Sequence, residues 1–514
     1  MSEIEEDNVD SKLKGQHMMA LLFSVGAGIL GVLATGGGLE ALKQYFYEEQ
    51  PEIIISMPPN APEKIKVPPK QTVVEPVEEI EELLSNPDSD VVIDLPEPIE
   101  DIPPEIVEVA DVLVEGDPIG DVNPSDGVEA PYAGLPGIVS KRCSREDRIQ
   151  RIAELGGKPE SEDSVEAALQ WLAENQQEDG SWSKSSDMQK VSLTSLSVLA
   201  FLGRCETPVS SSTIYRNAVR NGLDFLVSKA LEYDGDIVNN GDKVHESAYV
   251  QAVMAYALCE SYTFCNEIGY TGIEGLEEAV SKSILAIIEG QNDNGGWVYE
   301  YGALQGKNSS KESDSSIVGW SMQALKAAKF TGLEWEGHKE AISGGKKVLL
   351  KHQKPDGSFG YRLNQPQNRK SLGLTMAGTL VFQQNIDSSK DEEKDELQAG
   401  IDKGIEFFME NVSDLNYKAG GFDASLYNHY YATQVLVNKG GSDWEKYRDL
   451  YLKPTLENQH ADGNFKIPKN PLATGEYKAG KDGMVYTTTL SVLMLEVFYR
   501  FLPTTQTIVV SSVN

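Results

Sequence analysis

Cysteine, histidine and positive charge are all scarce in this chain. Its 514 residues include 4 cysteines and 6 histidines, and 45 Lys and Arg stand against 80 Asp and Glu, which gives a formal net charge of −35 at pH 7. Because there is no basic excess to meet phosphates, we exclude nucleic acid as a partner. The cysteines show no zinc-type spacing, so we expect neither a metal nor another cofactor.

The four cysteines are Cys143, Cys205, Cys259 and Cys265. Cys259 and Cys265 are close enough in sequence to cross-link across a helix end in an oxidising compartment. Free thiols buried in the core are the alternative, since unpaired cysteine behaves as a small apolar residue.

About half of the negative excess lies in one stretch. Residues 51–140 hold 21 Asp and Glu, only 3 Lys, and 16 of the 24 prolines. Proline favours the extended polyproline conformation, and acidic self-repulsion stretches it further. We therefore predict a disordered, acidic, Pro-rich linker over residues 43–140. Short apolar runs such as 91–93 could add a strand to an envelope protein partner, and a solvated tether is the alternative.

One long apolar run precedes this linker. Residues 18–42 include about the 20 uncharged residues that can span hydrocarbon, and Lys12 and Lys14 lie on the N-terminal side. Since positive residues stay on the cytoplasmic side, we predict a single-pass membrane anchor. Residues 1–17 would be cytoplasmic and the globular part periplasmic or extracytoplasmic. A signal peptide cleaved near Ala34 is the alternative.

One sequence motif recurs through the rest of the chain: a glutamine at a helix end, an Asp/Gly turn, an aromatic residue and then an apolar helix. Glycine permits the backbone angles of such a turn, and the aromatic can bury a large area against a neighbouring hairpin. Hairpins of this kind cannot bury their faces alone, so they stack. Full copies of the motif span residues 176–182, 291–297, 353–359 and 459–465, and degenerate copies span 234–236 and 420–422.

These motifs divide residues 163–503 into six helix hairpins. The last hairpin is as apolar as the others, whereas an open solenoid would end in a polar repeat. We therefore predict a closed ring, preceded by a connecting segment at 141–162 with a helix over 144–155, and followed by a tail at 504–514. Helices after the turns are predicted to begin near Ser192, His245, Asp314, Ser371, Asn428 and Thr487, and helices before the turns to lie near Ala168, Leu223, Leu285, Leu349, Phe407 and Leu456.

The turns at 176–182 and 353–359 resemble the QW motif of squalene–hopene cyclases, and residues 314–325 resemble an inner helix of the same repeats. The chain from 163 to 503 is thus similar to the terpenoid cyclase and protein prenyltransferase superfamily. A closer resemblance, carried by 430–435 and 495–503, is to membrane-anchored prenyltransferase/squalene oxidase repeat proteins of planctomycete-like bacteria. The resemblance implies an all-α (α/α)6 toroid whose central apolar cavity holds a hydrophobic small molecule or lipid.

In that family, the starts of the inner helices line the cavity, and convergent polar groups at one mouth are typical of a ligand pocket. We predict Asp314, His245 and His429 as catalytic residues. Asp314, Asn428 and Thr487 are equally suited to be ordinary N-caps, whereas histidine is not a preferred cap. The predicted cavity lining is Glu246, Tyr249, Trp320, Asn428, Tyr430, Tyr486 and Thr487.

Departures from the family's motifs bear on the chemistry. Proton-initiated cyclases use Asp-x-Asp-Asp, and residues 312–315 keep an aspartate only at the third position, Asp314. Zinc prenyltransferases use a cysteine late in the ring, and no cysteine follows Cys265. The acidic run 391–395 is predicted to be a solvated loop rather than an ionisation motif.

Two functions remain open from the sequence. The first is a membrane-anchored squalene cyclase- or prenyltransferase-like repeat protein that acts on an isoprenoid or lipid. The second is a non-catalytic extracytoplasmic toroid that binds a lipid, a glycan or a polypeptide.

Overall fold

The computed structural model describes residues 141–241, 247–301, 313–362, 371–387, 389–415, 426–468 and 480–500. In these ranges the regular elements are helices, with two isolated β-bridges and no strand. None of the helices described is long and apolar enough to span a bilayer. The predicted anchor, linker and C-terminal tail lie outside the described residues.

The helices are named here in chain order. They are α1 (Arg145–Glu154), α2 (Glu160–Glu174), α3 (Asp187–Gly203), α4 (Thr213–Glu232), α5 (Ile237–Asn240), α6 (Ser247–Glu267), α7 (Leu276–Glu289), α8 (Ser315–Ala328), α9 (His338–His352), α10 (Leu372–Asn385), α11 (Asp391–Asn411), α12 (Leu426–Lys439), α13 (Gly441–Glu457) and α14 (Gly480–Leu495). Short 3-10 turns occur at Lys141–Cys143, Val412–Asp414 and Glu496–Phe498.

Six of these helices form a closed inner ring. Each of α3, α6, α8, α10, α12 and α14 packs against the next, and α14 packs against α3. The outer layer is α2, α4, α7, α9, α11 and α13, and its last helix contacts its first. The predicted closed ring of hairpins is therefore confirmed in the part of the chain that the structure covers.

Composition separates the two layers. The inner helix α8 has no exposed face: every residue in it is buried. A helix that is buried on every face lies inside the protein, and its Gly, Ala and Ser residues let neighbouring helices approach closely. The outer helix α7 instead buries one stripe and presents Glu277 and Glu278 to solvent.

The glutamine of each full turn holds its hairpin to the next outer helix. Gln176 Nε2 donates both to Gly180 O within its own turn and to Ala218 O of α4, each at 2.9 Å. The indole nitrogen of Trp182 donates to Leu172 O, which fixes the aromatic beneath the turn. The other three turns repeat the pair of glutamine bonds, from Gln291 to Gly295 and Ala341, from Gln353 to Gly357 and Gly400, and from Gln459 to Gly463 and Ser164.

The ring closes through the same contact that joins its internal hairpins. Gln459 Nε2 donates to Ser164 O at 2.8 Å, although the residues are 295 positions apart. The left-handed Gly463 (φ +99°) lies against the α2 backbone, where a Cβ would come within 2.2 Å of Ala167 O. Two hydroxyls before α3, those of Ser183 and Ser185, donate to Asp482 of α14.

The degenerate turn at 234–236 lacks the turn glutamine, and a glutamine from another position makes the equivalent hydrogen bonds. Gln251, on the inner helix α6, donates to Gly235 O at 2.8 Å and to Ser283 O of α7 at 3.0 Å. Its carbonyl oxygen accepts from Ile237 N. An inner-helix glutamine thus replaces the missing turn glutamine. The other degenerate turn, 420–422, lies outside the described residues.

Some predicted boundaries were wrong. Asn428 and Thr487 lie inside α12 and α14 rather than at their N-caps, because these helices begin earlier than the apolar pattern suggested. The acidic run 391–395 opens α11 instead of forming a loop, since acidic side chains favour the first turn of a helix. The helix predicted over 144–155 is confirmed as α1, with Ser144 as its N-cap.

The cysteine pairing also differs from the prediction. Cys143 is bonded to Cys205, 62 positions away, with 5.0 Å between their Cα atoms. Cys259 and Cys265 are free and buried on α6, so the cross-link between them was wrong and the free-thiol alternative is confirmed. Six positions along one helix direct two side chains to different faces, which prevents a bridge.

Substituting Gly463 with Ala should open the ring seam. The new Cβ would clash with Ala167 O, so we expect a loss in the free energy of unfolding about 2 kcal/mol larger than that of Gly269→Ala. Gly269 is the matched control, because it is also left-handed (φ +66°) but has open space around it. Denaturant unfolding followed by circular dichroism measures the difference. Equal losses in the two variants would contradict the seam contact.

Candidate functional site

The inner helices are parallel, so their N-terminal ends meet at one face of the ring. There Asp314 caps α8: its Oδ1 accepts from Ser316 N at 2.9 Å, from Ile317 N at 3.4 Å and from the Ser316 hydroxyl. Asp314 is fully buried. The N-cap interpretation of this residue is confirmed, and the cap leaves Oδ2 as the carboxyl oxygen that it does not use.

Burial changes the acidity of this carboxyl. Loss of solvent raises the pKa of Asp314 above its usual 3.8, because the charged form is penalised. The hydroxyls of Ser316 and Tyr361 and the charge of Arg362 offset part of this increase. A protonated aspartic acid is therefore more favoured here than at the protein surface.

Three tyrosines surround this aspartate. The Tyr249 hydroxyl is hydrogen-bonded to that of Ser316, and the hydroxyls of Tyr299 and Tyr361 are bonded to each other. The rings of Tyr249 and Tyr299 lie 5.8 Å apart. Burial, reinforced by the charge of Asp314, raises the pKa of all three phenols, so they stay neutral. We call Asp314, Ser316, Tyr249, Tyr299 and Tyr361 the tyrosine–aspartate cluster.

Two neighbouring turns hold this cluster in place. Asp314 N donates to Trp297 O at 2.9 Å, and Ser315 N donates to Tyr361 O at 3.0 Å. The Ser315 hydroxyl contacts His352 Nδ1 at 2.7 Å, and burial lowers the pKa of His352 to about 4, which keeps it neutral. The start of α8 is thus fixed by the turns on both sides of it.

A second group of side chains lies one turn further along α8. Trp320 stacks on Tyr430 of α12 with 5.4 Å between ring centroids. Tyr430 donates to Gln323 Oε1 at 3.2 Å, and Gln323 Nε2 donates to Tyr431 at 3.1 Å. Because α10 separates α8 from α12 in the ring, these contacts reach across the ring interior. At this level Trp320, Gln323, Tyr430 and Tyr431 occupy space that the sequence assigned to a cavity.

His429 makes its contact away from this group. Its Nδ1 lies 2.7 Å from the hydroxyl of Tyr447 on the outer helix α13, and the two rings stack at 5.9 Å. Complete burial lowers the pKa of His429 to about 3, so the imidazole is neutral. These contacts place His429 between the two layers, as a packed core histidine would be.

The remaining predicted residues are distributed around the ring. Asn428 lies against Gly373 of α10, where its Oδ1 would be 2.0 Å from an added Cβ. Tyr486 and Thr487 are buried within α14. His245 and Glu246 lie outside the described residues. Of the predicted set, the structure brings Tyr249 to Asp314 and Trp320 to Tyr430.

Sequence reasoning missed Tyr299 and Tyr361. Both follow a turn aromatic by two positions, Trp297 in one repeat and Phe359 in the next. Aligning the repeats on their turns would have shown a tyrosine at the same position twice. The two side chains meet because consecutive turns are neighbours on the ring.

The donor set of the described residues does not suit a metal ion. No group of three or more His, Cys, Asp or Glu is placed to hold one within the part of the chain that the structure describes. Around Asp314 the polar groups are phenols and a serine hydroxyl, and the charge of Arg362 also acts on it. The cluster can instead hold and move a proton in surroundings with little water, next to aromatic faces that stabilise positive charge.

No protein-family model matches the chain, and no curated protein matches its sequence. Among solved structures it is similar to the GH76A α-1,6-mannanase from Salegentibacter sp. HEL1_6, with a TM-score of 0.46 and 10% identity over 66% of this chain and 98% of the mannanase. It is also similar to the type II terpene cyclase MstE from Scytonema, with a TM-score of 0.40 and 13% identity over 66% of this chain and 98% of the cyclase.

A GH76 α-mannanase from Bacteroides thetaiotaomicron gives a TM-score of 0.41 with 11% identity, covering 68% of this chain and 98% of that one. These proteins are α/α toroid enzymes. At such low TM-scores the similarities carry no argument about site or substrate, and the ring described above rests on its own contacts.

His429→Gln should make the protein less sensitive to acid. The folded-state pKa of about 3 lies below the ordinary 6.5, so the stabilising contribution of neutral His429 is fully present above pH 6.5 and is lost as the pH falls towards 3. Glutamine keeps a hydrogen bond to Tyr447 without titrating. Between pH 7 and pH 4 we expect wild type to lose about 3 kcal/mol more unfolding free energy than the variant.

Denaturant unfolding across this pH range measures the effect, with the exposed His460→Gln as the control. The same slope in His429→Gln and wild type would show that His429 does not titrate in this way.

Proposed function

We propose that the chain is a toroid enzyme that protonates an isoprenoid-class alkene at the N-terminal face of the ring. The observation that carries this proposal is the buried Asp314 carboxyl, with its raised pKa, inside a shell of three neutral tyrosines. An alkene is a weak base, so it needs a protonated acid away from water and aromatic faces beside the resulting cation.

Each part of the cluster has a role in this chemistry. Asp314 donates the proton from Oδ2, while its Oδ1 is held by the start of α8. Ser316 and Tyr249 orient the carboxyl through their linked hydroxyls. Tyr299 and Trp320 supply aromatic faces at two depths of the ring. The incomplete Asp-x-Asp-Asp motif then means that hydroxyl donors, rather than further carboxyls, support the acid.

A second candidate is a ring that binds without catalysis. The observation that favours it is the direct contact of Trp320 and Gln323 with Tyr430 and Tyr431, which fills the ring interior below the cluster. A short lipid, glycan or peptide end could then occupy the face above them. In this case Asp314 is a helix cap and nothing more, contributing about 1 kcal/mol of stability.

We also propose that the ring works at a membrane. An apolar substrate resides in a bilayer, and the uncharged run in residues 18–42 has the length to cross one. The acidic linker at 43–140 would then give the ring reach on the extracytoplasmic side. Protease protection of the tagged N-terminus in intact cells tests this arrangement.

Asp314→Asn should separate the two candidates. Asparagine can still accept the cap hydrogen bonds but cannot donate an acid proton, so we expect turnover of squalene or oxidosqualene to fall by roughly 100-fold or more. The melting temperature should change little. Product formation is followed by mass spectrometry, and binding of the same compounds by calorimetry.

Ser371→Ala is the matched control, because Ser371 caps the next inner helix, α10, and is not one of the residues of the tyrosine–aspartate cluster. It should lower stability by about 1 kcal/mol and keep turnover. Equal turnover in Asp314→Asn and wild type would exclude Asp314 as the acid. Binding by wild type with no turnover of either compound would favour the non-catalytic ring.

A further inference from the structure

The opposite face of the ring, where the inner helices end, is covered by the N-terminal part of the described chain. Helix α1 is held there by an ion pair of 2.8 Å between Arg148 Nε and Glu162 Oε1. The indole of Trp444 also donates to Leu155 O, just after α1. Residues 141–144 extend from α1 as an arm, and the disulfide from Cys143 to Cys205 fastens this arm to the end of α3.

The arm places one side chain inside the ring. Arg142 is fully buried, with its guanidinium carbon 4.3 Å above the ring of Phe264 near the end of α6. Burial lowers its pKa to about 10 and the charge of Arg500 lowers it further, while Glu260 and Glu496 act against that decrease. None of its three guanidinium nitrogens has a hydrogen-bond partner among the described residues. A buried arginine that serves only the fold normally has hydrogen-bond acceptors for those donors. The surroundings of Arg142 therefore match its positive charge but do not satisfy its hydrogen-bond donors.

The Phe264 ring and the carboxylates of Glu260 and Glu496, whose charges act on Arg142, define the site that we call the cage; Arg500 acts on the same group with a like charge. Glu496 is fully buried against Gly203, and neither of its oxygens has a hydrogen-bond partner in the described part of the chain. Glu260 lies 3.6 Å from Arg500, whose Nη2 also donates to Tyr256. An aromatic face with carboxylates around it is a recurrent arrangement for binding a desolvated cation.

The disulfide is maintained at a conformational cost. Cys205 has φ +66°, a left-handed conformation that disfavours side chains with a Cβ. It follows α3 in a Schellman motif, with Cys205 N bonded to Leu202 O and Glu206 N to Phe201 O. Gly269 takes the same φ and the same pair of bonds after α6. A cysteine where the next hairpin has glycine indicates that the bridge itself is the reason for the residue.

We propose that this face of the ring is a guanidinium-binding site that Arg142 occupies in cis, latched by the Cys143–Cys205 disulfide. Releasing the arm vacates the cage for a cation of the same class, such as an arginine side chain of another polypeptide. This proposal is independent of the chemistry at Asp314, because the two sites lie at opposite ends of the inner helices.

Opening the latch is a thiol–disulfide exchange. A dithiol reductant gives two electrons and two protons to the bridge, its own thiols become a disulfide, and Cys143 and Cys205 become thiols. Cys143 is partly exposed, so a reductant can reach it, whereas Cys205 is buried. Once the bridge is broken, Arg148 still donates to Arg142 O at 2.7 Å, while α1 stays docked through Glu162 and Trp444.

The test measures binding of acetyl-arginine amide to the full chain by calorimetry, with the uncharged acetyl-citrulline amide as the matched probe. We expect oxidised wild type to bind acetyl-arginine amide at least tenfold more weakly than dithiothreitol-reduced wild type or Cys143→Ser. Arg142→Ala should bind it even when oxidised, and Cys265→Ala, which keeps the latch, should behave as wild type. Acetyl-citrulline amide should bind to none of them.

Hydrogen exchange on wild type checks the arm without any substitution. Reduction should speed exchange in residues 141–144 by at least tenfold and leave the core of α6 protected. Unchanged exchange in the arm after reduction would overturn the latch. Arg142→Ala that folds as wild type but binds acetyl-arginine amide no better than acetyl-citrulline amide would overturn the cation site.

Discussion

The whole architecture depends on one contact, in which each of the four full turns sits on the backbone of the next outer helix. The glutamine bridges the two by paired hydrogen bonds, and the left-handed glycine allows the backbones to touch. Each contact is small, but it fixes the angle between neighbouring hairpins. Repeating one angle brings the last turn onto α2, so closure follows from the local geometry and leaves no apolar end exposed.

Closure gives the ring two chemically different faces. At the N-terminal face, turns and helix starts bring the buried carboxyl of Asp314 together with hydroxyls and phenols. At the C-terminal face, Arg142 of the disulfide-held arm and the buried Glu260, Glu496 and Arg500 form a group of buried charges. Glu260 and Arg500 are paired, whereas the side chains of Arg142 and Glu496 have no hydrogen-bond partner among the described residues, and unpaired buried charges of this kind cost stability.

The ring could be predicted from the sequence because its signals are local. The turn motif, the helical periodicity and the apolar last hairpin can each be recognised within a short stretch of residues. It was insufficient for contacts between repeats. The cap role of Asp314 was visible, but its neighbours Tyr299 and Tyr361 come from other turns. His429 looked exposed to the ring face, yet one helical position decides whether a side chain points inwards or towards Tyr447. The bridge from Cys143 to Cys205 joins a segment outside the repeats, where no period gives guidance.

Spin-label distances test closure of the ring most directly. One pair of labels replaces the exposed Asp163 and Glu457, which lie across the seam between α2 and α13, and the other replaces the exposed Ala399 and Lys351 at the equivalent internal seam. The native cysteines do not interfere, since two are bonded and two are buried. A closed ring predicts the same short, narrow distance for both pairs. A longer or broader distance distribution for the first pair alone would contradict closure of the ring, and therefore also its division into two distinct faces.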